Sequence, residues 1–154
     1  LLERMKAARN ANVGFETVEM VSSALLDMAY HSRPAGEAVE ADAIERETLA
    51  RIGMPHEIAL RHASPHFLHI FSGDGYSAGY YSYLWSEVLD ADGYSAFEEA
   101  GDPFDPAVAD RLYRYVYSAG GTRDFAEAYR LFRGRDPDPA AMLRQRGLAE
   151  AAAL

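Results

Sequence analysis

The run DPAVADRLYRYVYSAGGTRDFAEAYRLFRGRDPDPAAMLRQRG, residues 105–147, decides the fold class because it is punctuated as successive helices. Asp105-Pro106 opens the first, which runs to about Ser118 and stops at Gly120-Gly121. Thr122 or Asp124 caps the second, which reaches Phe132 with Gly134 after it. Asp138-Pro139 starts the third, which ends at Gly147. Each signal has a cause. A carboxylate or hydroxyl at the N-cap accepts from amides that the first turn leaves unbonded, and Pro just inside the helix gives up an N–H that had no partner. Gly at the end takes the left-handed conformation that closes a helix.

Moving towards the N-terminus, a long helix is expected over 78–99, through Tyr80-Tyr81-Ser82-Tyr83-Leu84-Trp85, with Gly101-Asp102-Pro103 as its stop. Before it, 55–75 reads differently. Pro55 and Pro65, four histidines and the apolar run Phe67, Leu68, Ile70, Phe71 predict extended or irregular chain ending in a flexible glycine loop. A helix over 40–52 is closed by Gly53, with Pro55 beyond. Over 15–31, Phe15, Val18, Val21, Leu25 and Met28 recur at three and four, the period of an amphipathic helix that buries that face. The stretch 2–9 is helix-forming and stops near Asn10 and Asn12, and the Ala-rich tail after Leu148 is expected to fray. The chain thus reads as all-α: one multi-helix domain or lobe over 1–154, with an irregular Gly/His-rich loop before a long helix.

Composition narrows the function. A net charge of −9 argues against nucleic acid and against an anionic membrane surface, both of which are bound through Lys and Arg. Cysteine is absent, which excludes disulfides and thiolate metal sites and fits the cytoplasm. No stretch approaches the ~20 apolar residues that span a bilayer. The opening Leu1-Leu2-Glu3-Arg4-Met5 carries no initiator methionine in front, as in a cut chain or a processed one.

Three motifs need testing. His56-Glu57 begins like HExxH, but position 60 is Leu60 and the next histidine is His62, six residues on. Six residues are roughly 600° of helix rotation, so the two imidazoles would face apart. His62, His66 and His69 are spaced four and three apart, but Pro65 breaks the helix that would align them for a metal. Gly73-Asp74-Gly75-Tyr76-Ser77-Ala78 has the G-x-G-x-x-A form of a dinucleotide loop. Its helical surroundings lack the strand–helix alternation that such a fold needs. A fourth pattern is more promising. Tyr76, Tyr80 and Tyr83, at four and three, would put three phenols on one helix face directly after the glycine loop. Such a stripe is either core or a set of donors for developing negative charge.

Residues 64–85, SPHFLHIFSGDGYSAGYYSYLW, resemble the thimet-type oligopeptidases, the M3 zinc metallopeptidases. That family's pattern is a histidine, a glycine-rich turn, then GY-x-A-G-YY-x-YLW. The likeness extends to Leu25-Leu26-Asp27-Met28, to Ile52-Gly53-Met54-Pro55, and to Phe132-Arg133-Gly134-Arg135-Asp136-Pro137 with Met142 to Leu148. It is strongest to bacterial members of the peptidyl-dipeptidase Dcp and oligopeptidase A kind.

The resemblance implies a mainly helical, two-lobed enzyme that hydrolyses short peptides in a deep channel. This chain would be its C-terminal part. The family's HExxH helix and third, glutamate zinc ligand would lie upstream, so the chain alone is expected to bind no metal and to be inactive. Carried over by motif, Tyr76 and Tyr83 donate to the oxyanion of the tetrahedral intermediate, and Tyr80 lines the same pocket. His69 contacts the substrate backbone, and Gly73, Gly75 and Gly79 give the loop mobility. The step from His69 to Tyr76 is seven residues, longer by one or two than the family's, with Asp74 as the extra residue and His66 as an alternative to His69. Expected partners are peptide substrates and the rest of the same enzyme. The other reading is a stand-alone helical module that binds a peptide or protein without catalysis.

Overall fold

A computed structural model describes residues 1–149, apart from the side chains of Glu3 and Lys6. Every regular element among them is helical: α1 (Leu2–Arg9), α2 (Val13–His31), α3 (Ala41–Arg51), α4 (Leu68–Phe71), α5 (Ser82–Ala100), α6 (Pro106–Leu112), α7 (Phe125–Arg133) and α8 (Ala140–Gln145). The fold is all-α as expected. The tail whose fraying was expected lies, from Glu150 on, outside the described residues. The chain divides into two compact units, Leu1–Leu84 and a second that opens at Trp85.

In the first unit, α2 and α3 pack together and the segment 64–80 closes over them. Leu26, Phe67 and Ile70 are fully buried, with Ala24, Ile44 and Tyr80 around them. The expected burial of the Phe15, Val18, Val21, Leu25 and Met28 face is only partly what α2 does: Val21 and Leu25 are half-buried, Phe15, Val18 and Met28 are exposed, and Ser22, Ser23, Leu26 and Asp27 go inside. Periodicity finds an apolar stripe but not the surface that covers it. The polar residues go in because they are answered. Ser23 Oγ donates to the Glu19 carbonyl at 2.9 Å and Ser22 Oγ does so at 3.1 Å, while Asp27 collects donors described below. Leu68–Phe71 also differs from the extended reading, forming a short helical turn after a 3₁₀ turn at Ser64–His66.

In the second unit the caps of α6 and α7 fall where the sequence places them, whereas α8 starts at Ala140 with Pro139, not Asp138, at its N-cap. Asp105 accepts from the Val108 amide at 2.8 Å, Asp124 from Glu127 at 3.0 Å, and Gly134 ends α7 with φ of 77°. The helix begun at Pro106 does not stay α to Ser118. It widens to a π turn over Tyr113–Tyr117, with the Ser118 amide donating to the Tyr113 carbonyl at 2.7 Å. Leu112, Tyr115 and Val116 all pack on the Ala96–Val108–Phe132 core. Beside it Asp92, 1% exposed, accepts from Tyr129 at 2.6 Å and from Arg133 and Arg135. Burial alone would raise the Asp92 pKa, but the bonds from Arg135, Tyr129 and Arg133 outweigh it and hold the carboxyl below the usual range. Among the described residues no helix is long and apolar enough to cross a membrane.

Candidate functional site

The first unit gathers one histidine and three phenols around a single point. His69 stands on α4, Tyr76 in the loop, Tyr80 in the turn after it, and Tyr83 in the first turn of α5. His69 Nε2 and Tyr83 Oη are hydrogen-bonded at 2.9 Å. The His69 ring meets Tyr76, Tyr80 and Tyr83 at centroid distances of 4.4, 5.4 and 5.7 Å. Tyr76 and Tyr83 stack with planes 8° apart at 5.6 Å.

The phenols do not share a helix face, because residues 76–81 form turns and α5 begins only at Ser82. They converge because the chain folds back at 77–80. Tyr80 is buried, its ring edge-on to Phe67 at 5.1 Å, whereas His69, Tyr76 and Tyr83 are exposed. Tyr80 is therefore a floor under the other three. His66 stays in the 3₁₀ turn with its side chain exposed, and His62 stacks on Phe67 at 4.9 Å.

The neighbouring Tyr76 hydroxyl, then partial desolvation, push the Tyr83 pKa up to about 12. Tyr83 is thus a protonated donor throughout the neutral range. Two exposed phenols and an imidazole, held by a buried third phenol, can donate to an anionic or carbonyl oxygen placed against them.

The glycines are not equivalent. A Cβ on Gly73 or Gly75 would meet nothing within 4 Å, whereas one on Gly79 would touch the Tyr76 backbone at 3.4 Å. That is ordinary contact distance, and the Gly79 amide donates to the Tyr76 carbonyl at 2.9 Å. The loop base is tied by Ser77 Oγ, which donates to the Ile70 carbonyl at 3.1 Å and to that of Gly73 at 3.3 Å.

The residue to which sequence reasoning gave no role is Asp27. Fully buried on α2, it accepts from the amides of Ala78 and Tyr80, each at 2.9 Å. Ala78 has φ of 56°, left-handed without being glycine, at a cost of about 1 kcal/mol. Hydrogen bonds to a charged acceptor contribute roughly 1.5–3 kcal/mol each, so the two offset that strain. A signal was present, since a carboxylate between Leu26 and Met28 on an apolar helix needs partners if it is buried.

Among the described residues no three His, Asp or Glu side chains gather as a metal ion would need. His56 and Glu57 form an exposed surface pair at 3.1 Å.

Comparison with known proteins matches Peptidase family M3 over residues 1–148. The dipeptidyl carboxypeptidase of Escherichia coli (strain K12) is 39% identical over 150 residues, 96% of this chain and 22% of that protein. Oligopeptidase A of the same strain is 36% identical over 152 residues, again 96% of this chain and 22% of that protein. Oligopeptidase A of Haemophilus influenzae reaches 49% over a shorter stretch of 86 residues, 55% of this chain and 12% of that protein. The chain spans about a fifth of the length of the first two. With a family match over nearly its whole length and a phenol cluster formed by the residues that first suggested it, this chain belongs to peptidase family M3.

Proposed function

We propose that this chain is the substrate-facing wall of a zinc-dependent, cytoplasmic peptidase that hydrolyses short peptides, as a peptidyl-dipeptidase or oligopeptidase. The observation that carries the reading is the 2.9 Å bond between His69 and Tyr83 with Tyr76 stacked alongside, which presents exposed donors at one point. Family membership favours it over a stand-alone binding module.

In this reading the scissile carbonyl lies against the phenols. As the carbonyl carbon becomes tetrahedral, negative charge collects on its oxygen, and the O–H groups of Tyr83 and Tyr76 donate to it without giving up their protons. The raised Tyr83 pKa keeps that proton in place. Tyr80 holds the rings apart from the core, and His69 is positioned to engage the substrate backbone. Gly73 and Gly75, where a Cβ would meet nothing, let the loop move as substrate enters, with Gly79 at its base. Among the described residues no donor set fits a zinc ion, so in this reading the metal's ligands come from the rest of the enzyme and no step here passes through it. The exposed Phe15, Val18 and Met28 support a covering surface supplied by the rest of the enzyme.

The test is Tyr83→Phe in the complete enzyme. A lost oxyanion donor lowers kcat by ~10²–10³ with KM little changed. An unchanged kcat with only KM raised would make Tyr83 a ground-state binding residue instead.

A further inference from the structure

Of the three consecutive amides at the base of the glycine loop, Gly79 donates within the turn to Tyr76, while Ala78 and Tyr80 donate outward to the two oxygens of Asp27. These amides belong to the stretch between Tyr76 and Tyr83, so their placement sets where all three phenols point. The turn is not one that the local sequence prefers, since Ala78 sits in the left-handed region without being glycine. Something outside the turn must hold it.

His31, one helical turn along α2, completes the arrangement. Its Nδ1 lies 2.7 Å from Asp27 Oδ1 and 3.1 Å from the Asp27 carbonyl, and its ring packs on Phe71 at 5.5 Å. Phe71 ends α4, the element that carries His69. One carboxylate with its imidazole thus touches the turn that lies between Tyr76 and Tyr83 and the helix that carries His69. A purely structural role would need only some buried contact there. A charged acceptor with three donors, two of them neighbouring backbone amides, fixes orientation as well.

We propose that Asp27 is the positioning residue of the phenol cluster. Its buried carboxylate clamps the 78–80 turn so that Tyr76 and Tyr83 are aimed before substrate arrives, and His31 orients the carboxylate. The inference rests on the phenols acting on the reacting oxygen, and the test separates the two claims.

In the complete enzyme, Asp27→Asn keeps the volume but leaves an amide nitrogen facing a backbone N–H or the imidazole. The expected result is a 10- to 100-fold fall in kcat with KM within about twofold. In a Tyr76→Phe/Tyr83→Phe background the same substitution should cost less than about threefold, because both donors it aims are already gone. Amide exchange in a peptide covering 76–82 should speed up at least about tenfold. His31→Ala, at a partly exposed position, serves if Asp27→Asn fails to fold; it should lower kcat roughly three- to tenfold with the same non-additivity. Equal losses in both backgrounds, or a fall in kcat with exchange at 76–82 unchanged, would overturn the proposal. If Tyr83→Phe itself keeps the wild-type kcat, the oxyanion reading falls. Exchange at 76–82 then decides the clamp alone, faster exchange supporting it and unchanged exchange refuting it.

Discussion

Replacing Asp92 by Asn should cost the second unit about 3 kcal/mol, at the lower end of the 3–5 kcal/mol that follows when one partner of a buried ion pair is removed. Arg133 has a side chain only 4% exposed and cannot turn to water, so it is the cation left stranded. It keeps Glu99, whose carboxylate oxygens lie 2.8 and 3.0 Å from its nitrogens, and this places the cost at the low end. Arg135 is 42% exposed and can rehydrate, so it adds little. Tyr129 loses a 2.6 Å bond to a carboxylate but retains the Leu89 carbonyl at 3.4 Å. The assay is hydrogen exchange by mass spectrometry on peptides covering α5 and α7 in the complete enzyme, because a large protein does not give one unfolding free energy. With 1.36 kcal/mol per decade, the protection factor should fall on the order of a hundredfold. A fall of threefold or less would show the cluster to be worth no more than a surface pair, and the argument from burial would be wrong.

Two further outcomes follow from the same structure. Arg133 holds the Glu99 pKa below its ordinary 4.5, and the Asp92 pKa lies below its ordinary 3.8 despite burial. Groups depressed on folding contribute fully above their unfolded values, so this unit should keep its stability above about pH 5 and lose it progressively as pH falls through and below 4.5 and 3.8. Exchange at α7 followed from pH 6 downward, normalised for intrinsic rates, checks this, and Asp92→Asn should flatten the profile. In the loop, Gly73→Ala with Gly75→Ala meets no clash and should leave stability equal or up to about 1 kcal/mol higher. If mobility there serves substrate entry, kcat/KM should nevertheless fall severalfold, and unchanged kinetics would remove mobility from the account.

The helix caps were legible because their chemistry is local. Asp105, Asp124 and Gly134 do what their residue types and spacing predict. The family was legible from one long motif around the phenols. What failed was whatever depends on residues far apart in sequence. The period of Phe15, Val18, Val21, Leu25 and Met28 predicts one buried side of α2, yet Phe15, Val18 and Met28 are exposed, because nothing in a periodicity says which side another segment covers. The phenols were placed on one helix by their spacing of four and three, but 76–81 is a turn. Its left-handed Ala78 is held from 51 residues away by Asp27. The π turn at Tyr113–Tyr117 left no mark that helix propensity could detect.

Whether Tyr76 and Tyr83 act on the transition state is read by setting the loss of kcat/KM beside the loss of affinity for a transition-state analogue. In the complete enzyme, Tyr76→Phe, Tyr83→Phe and the double variant are assayed for kcat/KM on one short peptide. Each is then titrated with a phosphinic peptide of the same sequence, whose tetrahedral oxygens stand in for the intermediate. If the phenols meet the oxyanion, the Kd of the analogue should rise by the same factor that kcat/KM falls, variant by variant. An analogue affinity that stays constant while kcat/KM drops would contradict the account.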